Sequence, residues 1–236
     1  MRTVLSISLA CALAFAISCA PEKKQEPAVT GQPDFTVNFP DHNLGVAVRT
    51  ALGKTEGDIY ASDLARIERL DAKKRGIIEL SGIEHMKNIR RLDLRGNNIR
   101  DIGPINSLKT LTYLDLSDNY ITDISPLYGL SSLEELYIAG NDISTVSALS
   151  ACKNLRVLDV SDNNIVSIQA VSEMSELDEL HIDMNRIPDM SPLLENNKNG
   201  GLSEGDFVFM SGNPLDRDAV FVVIPTLEMK GVSVQN

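Results

Sequence analysis

Gly201-Leu202-Ser203-Glu204-Gly205 has the spacing G-x-S-x-G, in which glycines permit a sharp turn that lifts a serine hydroxyl clear for acyl transfer. That chemistry also requires a strand before the serine, a helix after it and a histidine further along. No histidine follows His181, and the stretch Glu195 to Gly201 ahead of the serine reads as a polar loop insertion. His42, His85 and His181 have no i, i+4 partner of the kind that holds zinc on a helix. Three cysteines, Cys11, Cys19 and Cys152, are too few for a disulfide framework or a multi-zinc module. There is no phosphate-cradling glycine loop, no H-E-x-x-H and no calcium loop of alternating acids. The sequence therefore assigns no catalytic residue, no metal and no cofactor.

Composition narrows the partner. The 236 residues carry 33 acidic and 22 basic side chains, a net charge of −11, whereas nucleic acid is held by clustered Lys and Arg that release counterions. A protein, a sugar or a cation fits that charge better. With 43% hydrophobic and 23% charged residues the chain is an ordinary globular protein of one or two domains. No Trp and only 5 Tyr and 6 Phe leave an aliphatic core.

The elements that carry these residues are set by a repeat. Ile89 to Thr110, Leu111 to Ser132, Leu133 to Asn154 and Leu155 to Glu176 are each 22 residues and superpose without gaps, and a further unit begins at Leu177. Position four holds Leu92, Leu114, Leu136, Leu158 and Leu180; position six holds Leu94, Leu116, Ile138, Val160 and Ile182. Position nine holds Asn97, Asn119, Asn141, Asn163 and Asn185, and Asn213 follows after a longer interval. Alternation at positions four and six is the period of a short strand with one face buried. Apolar residues three apart, such as Ile124, Leu127 and Leu130, suit a tight 3₁₀-like or irregular return that tolerates Pro126. One coil buries nothing alone; stacked coils at the strand spacing of ~4.8 Å build a parallel sheet over one continuous core. The Asn column is predicted to satisfy backbone groups buried where the chain turns inward.

The pattern L-x-x-L-x-L-x-x-N-x-I resembles the leucine-rich repeat, and the segments Ile102-Gly103-Pro104-Ile105 and Ile124-Ser125-Pro126-Leu127 are similar to the 22-residue class typified by bacterial internalins. The resemblance runs from about Phe39 to Val234. It implies an α/β fold: a right-handed solenoid with a curved parallel sheet of about eight short strands, a helical N-terminal cap and an irregular or 3₁₀ convex side. Residues 37–66 form that cap, with Asp41 as N-cap of a helix bearing Leu44, Val48 and Leu52, Gly53 as its stop, and a second helical piece near Ala61 to Arg66. Residues 67–198 hold repeats one to six, Arg75 taking the Asn position in the first. Residues 199–236 hold the last repeat, with Val208 and Met210, and a C-terminal cap in which Val232 and Val234 close the sheet. Cys152 falls on a core position and is predicted to be a buried thiol.

Ahead of the repeats, Arg2 and the apolar run Val4 to Ile17 read as a signal segment over 1–18, shorter than the ~20 residues that span a bilayer. Phe15-Ala16-Ile17-Ser18-Cys19 resembles a bacterial lipobox, although Ala16 stands where Leu is usual. The resemblance implies that Cys19 carries diacylglycerol; a plain signal peptide cleaved near Ala20 is the alternative. Each buried acyl methylene adds about 0.8 kcal/mol of membrane affinity, so a multiply acylated Cys19 would be a permanent anchor. Residues 19–36, including APEKKQEPAVTGQP, read as a flexible linker. Ala20 rather than Asp after Cys19 favours the outer membrane or cell surface of a bacterial envelope over the inner membrane.

Positions three, five and seven of each strand project from the concave side. They hold Arg69, Asp71, Lys73; Arg91, Asp93, Arg95; Tyr113, Asp115, Ser117; Glu135, Tyr137, Ala139; Val157, Asp159, Ser161; and Glu179, His181, Asp183. The front is rich in base and the rear in acid. Tyr113 and Tyr137, with Tyr120 beside them, are the expected anchor for a protein or peptide, because Tyr offers large contact area at low entropy cost. Arg69, Arg91 and Arg95 are expected to pair with Asp71, Asp93 and Asp115. The chain reads as a non-enzymatic, membrane-anchored monomer that recognises a partner on this face; the alternative is an envelope scaffold or spacer without a dedicated ligand.

Overall fold

The position-four residues form one row. In the computed structural model, which describes residues 34–236, Leu70, Leu92, Leu114, Leu136, Leu158, Leu180, Val208 and Val234 are in register across one parallel sheet. The sheet has eight strands in sequence order: β1 (Arg69–Asp71), β2 (Arg91–Asp93), β3 (Tyr113–Asp115), β4 (Glu135–Tyr137), β5 (Val157–Asp159), β6 (Glu179–His181), β7 (Phe207–Phe209) and β8 (Ser233–Gln235). The signal segment, Cys19 and the linker up to residue 33 lie outside the described residues.

Each coil spends three residues on the strand and then turns its apolar positions inward. Leu92, Leu94, Ile99, Ile105 and Leu108 of one coil are fully buried, as are Leu114, Leu116, Ile121, Leu127 and Leu133 of its neighbours. At roughly 1.5–3 kcal/mol per buried aliphatic side chain, this shared core is the main favourable term in folding. The convex returns are short 3₁₀ turns, among them Gly103–Ser107, Ser125–Leu127 and Ser147–Ala151. Position thirteen starts them: Asp101, Asp123 and Asp189 accept from the backbone N–H two residues on, at 2.7, 2.8 and 2.7 Å. Thr145 fills the same place with its hydroxyl.

Between strand and return the chain bends through a left-handed residue at position eight. Lys74, Asp118, Asp162 and Met184 adopt positive φ there, as do Gly96, Gly140 and Gly212. At Gly140, φ +64°, a side chain would also meet Asp118 Oδ1 at 2.9 Å, so this coil needs a glycine beside its larger neighbour.

The next residue closes the bend. Asn119 Oδ1 accepts from Ile99 N at 3.0 Å, while its Nδ2 donates to Leu116 O of its own coil and Leu94 O of the preceding one. Asn97, Asn141, Asn163, Asn185 and Asn213 repeat that pattern, each bonding to the coil before it. Arg75 ends the column at the front; its backbone N–H donates to Asn97 Oδ1.

The two ends are sealed differently. At the front, α1 (His42–Leu52) buries Leu44, Ala47 and Val48 over the first coil, and α2 (Ala61–Leu64) adds Leu64. Asp41 caps α1 through Leu44 N and also accepts from Ile78 N and Glu79 N. Burial works against its charge, yet these backbone donors hold its carboxyl below the usual range. At the rear, the stretch expected as a polar loop from Glu195 is instead the end of a helix, α3 (Ser191–Lys198), and the loop begins only at Asn199. Asp189 and Pro192 start this helix, and Asn196, fully buried, spends its amide on Val171 O and Met174 O and its carbonyl on Leu202 N. A wide helical turn, Ala219–Val223, leads into α4 (Ile224–Met229), whose Ile224 and Leu227 cover the last coil before β8. Among the described residues no helix is long and apolar enough to cross a membrane.

Asn141→Ala removes the acceptor of Ile121 N and the donor to Leu116 O and Ile138 O, all buried. Its expected cost is ~1–3 kcal/mol of unfolding free energy, read by denaturant titration, because buried polar groups lose their partners without access to water. An unchanged midpoint would remove the Asn column from the stabilising interactions.

Candidate functional site

The side chains that the core leaves free stand on the concave face, and its first half is organised around two tyrosines. Tyr113 on β3 and Tyr137 on β4 occupy diagonal positions, their rings 5.4 Å apart and tilted by 43°. The Arg91 guanidinium on β2 lies 3.3 Å from the centre of the Tyr113 ring. The Tyr137 hydroxyl donates to Glu135 at 3.1 Å. Arg91, Tyr113, Tyr137 and Glu135 therefore form a continuous layer across three strands, with a cation at one end and a carboxylate at the other. Burial pushes both phenols up, and for Tyr137 the Glu135 carboxylate adds to it, so both rings stay neutral donors.

The ion pairs of the front differ from those expected. Lys73, not an arginine, pairs with Asp71 at 3.0 Å and reaches Asp93 at 3.8 Å. Arg95 turns away from the face to Asp118 at 3.0 Å, and Arg91 is taken by the Tyr113 ring. The reason is reach: Lys73 sits at position seven beside both carboxylates, while the planar guanidinium of Arg91 gains more by stacking. Arg69, with Lys74 and Arg75, lines a hollow of about 670 Å³ between α1 and β1. Tyr120 stands apart from the tyrosine pair; its ring lies under Arg100 at 5.1 Å.

Asp115 is nearly inaccessible, at 8% exposure, and accepts from Ser117 N at 2.9 Å. Burial raises its carboxyl pKa, overcoming that bond. It belongs to the floor of the face rather than to its surface.

At the rear Glu179 and His181 are bonded at 2.6 Å, and the His181 ring stacks on Phe209 at 4.3 Å with 4° between the planes. Phe207 continues the stack at 6.4 Å and is 45% exposed. These phenylalanines were not singled out in the sequence, because the longer sixth coil displaces β7 from the 22-residue frame; aligning Asn213 with the Asn column and counting back four and six residues would have found them. Asp159 accepts from Ser161 N, and Asp183 from Ser211 N at 2.8 Å. Beside them a cavity of about 540 Å³ is walled by five carboxylates, Glu135 and Glu179 among them, with Arg156, Val157 and Phe207.

The charge is segregated along the stack. Residues 34–110 hold 13 basic and 11 acidic side chains; residues 111–236 hold 6 basic and 20 acidic. The solenoid thus carries a long-range polarity from its front to its rear.

The remaining candidates for chemistry are explained locally. Ser203 follows α3 and precedes β7, the reverse of a strand–serine–helix turn, and both its N–H and its hydroxyl are held by Asp206. Cys152 is fully buried, with its thiol pKa pushed up to about 11 by burial.

Asp115 supplies a measurable signature of this geometry. Its raised pKa means that ionisation opposes folding, so the wild type gains stability as pH falls through that pKa. Asp115→Asn keeps an acceptor for Ser117 N without the buried charge. It is expected to melt at or above the wild-type temperature at pH 7, and that advantage should shrink toward pH 3; a melting temperature lower at pH 7 than at pH 3, relative to wild type, would contradict the assignment.

Comparison with known proteins places this geometry. The family model for leucine-rich repeats in two copies matches residues 87–129, 109–151 and 131–173. No curated protein sequence matches the chain. The fold is similar to an internalin, InlF, from Listeria monocytogenes, with a TM-score of 0.65 and 25% identity over 84% of this chain. The chain spans 62% of the length of that structure. It is similar also to internalin C2 from the same organism, with a TM-score of 0.63 and 28% identity over 84% of this chain and 94% of that one. A leucine-rich-repeat protein of Leptospira interrogans shares the fold alone, at 22% identity and a TM-score of 0.58 over 66% of this chain and 39% of its own. The chain is thus built from leucine-rich repeats, in one open curved sheet of eight parallel strands, and is structurally similar to the Listeria internalins.

Proposed function

We propose that this chain is a non-enzymatic recognition protein, held on the bacterial cell envelope by lipid on Cys19, that binds a protein or peptide partner on its concave face. The observation that carries the reading is the contiguous layer of Arg91, Tyr113 and Tyr137 at the middle of that face, the guanidinium over one ring and the two rings in tilted contact. Binding energy in protein interfaces concentrates on Tyr and Arg, and here Arg91 lies on the Tyr113 ring while Tyr137 is held by that ring and by Glu135, so little conformational entropy remains to be lost on association. The surrounding charges flank this layer as a polar rim. The lipid anchor is supported by the segment Phe15 to Cys19, and Ala20 favours the outer membrane or cell surface.

Two experiments test the two halves of this reading. Crosslinking on intact cells, followed by mass spectrometry, should capture a partner that Tyr113→Ala/Tyr137→Ala loses at least tenfold while its melting temperature stays within a few degrees of wild type. An unchanged crosslinking pattern would favour a spacer or scaffold without a dedicated ligand. Metabolic labelling with an alkynyl palmitate analogue should mark the wild type and not Cys19→Ala; equal label in both would discard the anchor.

A further inference from the structure

Four cations converge at the front end of the stack with a single carboxylate among them. Arg69 and Lys73 border the hollow of about 670 Å³ from β1 and its exit, Lys74 and Arg75 border it from the bend, and Thr50 closes it from α1. The carboxylate, Asp71, is spent on Lys73 at 3.0 Å, and that bond holds it below the usual range. Arg69, Lys74 and Arg75 are exposed and make no ion pair among the described residues. Cations gathered in this way repel one another until an anion arrives from outside. We propose that this front pole is a docking surface for an anionic lipid bilayer, with the hollow between α1 and β1 receiving the phosphate of a lipid headgroup.

Three features of this pole suit lipid rather than a soluble acidic partner. Thr50 also borders a second hollow, of about 430 Å³, with Val46 and Lys54, and Val46 is 40% exposed on the outer side of α1. Lys54 in turn lies 5.8 Å from the centre of the exposed Tyr60 ring. Cations interleaved with apolar and aromatic side chains match the boundary between headgroups and acyl chains. The chain ahead of residue 34 also starts from this pole, because Val37 N donates to Ile59 O and Ala61 N to Phe35 O, fixing residues 35–37 beside α2. A linker to an acylated Cys19 would therefore leave from the same end.

The third feature is the polarity of the stack. The excess of acid begins at residue 111, and Glu179 on β6 stands five strands from Arg69, about 24 Å at ~4.8 Å per strand, against a screening length of ~8 Å at physiological salt. Lipid phosphates thus attract the front and barely feel the rear, although the chain as a whole is anionic. A tilt that brought the rear down would set its carboxylates against the headgroups. Three free cations bind a surface weakly by themselves, but they orient a chain whose tether already keeps it there. The solenoid then stands on its front pole, and the concave face rises from the membrane with its acidic end outermost. From the recognition reading this takes only the presence of a membrane; the surface itself is independent of the acyl group and of the concave face.

Vesicle partition tests it. The mature chain carrying Cys19→Ala is sedimented with vesicles of phosphatidylglycerol in phosphatidylcholine, or of phosphatidylcholine alone, at ~0.1 M salt, where the screening length is ~10 Å. It should bind the anionic vesicles at least tenfold more strongly, and ~1 M salt, with a screening length of ~3 Å, should release it. Arg69→Gln/Lys74→Gln/Arg75→Gln should weaken that binding at least tenfold. Lys198→Gln/Arg217→Gln/Lys230→Gln removes the same charge at the rear and should change it less than threefold. Orientation is read without these variants: a fluorophore on Thr55→Cys should be quenched by nitroxide-headgroup lipid and one on Asn236→Cys should not, since the buried Cys152 takes no label. Equal binding to both kinds of vesicle, equal loss from the front and rear variants, equal quenching at the two ends, or retention of soluble poly-glutamate but not of vesicles overturns the docking surface. Because the tested chain lacks the acyl group, a palmitate-labelled Cys19 without vesicle binding sinks this surface alone, whereas vesicle binding with an unlabelled Cys19 leaves it standing and removes only the anchor.

Discussion

The structure depends on a burial that no coil can achieve alone. A three-residue strand such as Leu92 with its two neighbours covers nothing, and its inward leucine becomes buried only when Leu70 and Leu114 stand on either side. The period of 22 residues exists to keep that row aligned, since a shift of one residue would turn the leucines outward and the charged positions inward. The Asn column enforces the same register by hydrogen bonds. Each Asn bonds to its own coil and to the one before, so the amide measures the distance between coils while it satisfies the backbone at the bend.

Because the core consumes positions four and six, biology is left with positions three, five and seven. That division explains why the face can vary in chemistry without cost to the fold: Arg, Tyr, Glu, Val and Phe all occur at position three over the same leucine row. It also explains how a polarity can accumulate. With no core function to constrain them, the concave residues grade from base to acid along the stack, and two aromatic pairs, the tilted Tyr113 and Tyr137 and the stacked His181 and Phe209, divide the face between them.

Much of this was legible in the sequence for a physical reason: a repeat states the same instruction several times. Leu92, Leu114 and Asn119 need no tertiary information to be placed, because their spacing recurs and recurrence averages out local ambiguity. Asp41 and Gly53, the cap and stop of α1, were readable because helix ends have their own local chemistry. The reading lost precision where the period broke. The lengthened sixth coil made a helix of Ser191–Lys198 where a polar loop was expected, since Asn196 and Asn197 appear hydrophilic until their buried backbone partners are known. The same break hid Phe207 and Phe209.

The linear order of residues by itself determined the coil, the sheet, the two capped ends and the list of side chains that the core leaves over. It did so because burying a leucine row in a stack is a periodic condition, and periodicity is written in one dimension. Which of those side chains meet was decided only in three dimensions. Lys73 rather than an arginine neutralises Asp71 and Asp93, Arg91 lies on Tyr113, and Arg95 leaves the face for Asp118. Long side chains on neighbouring strands have several partners within reach, and the choice among them rests on differences of angle and depth that appear only once the coils are stacked.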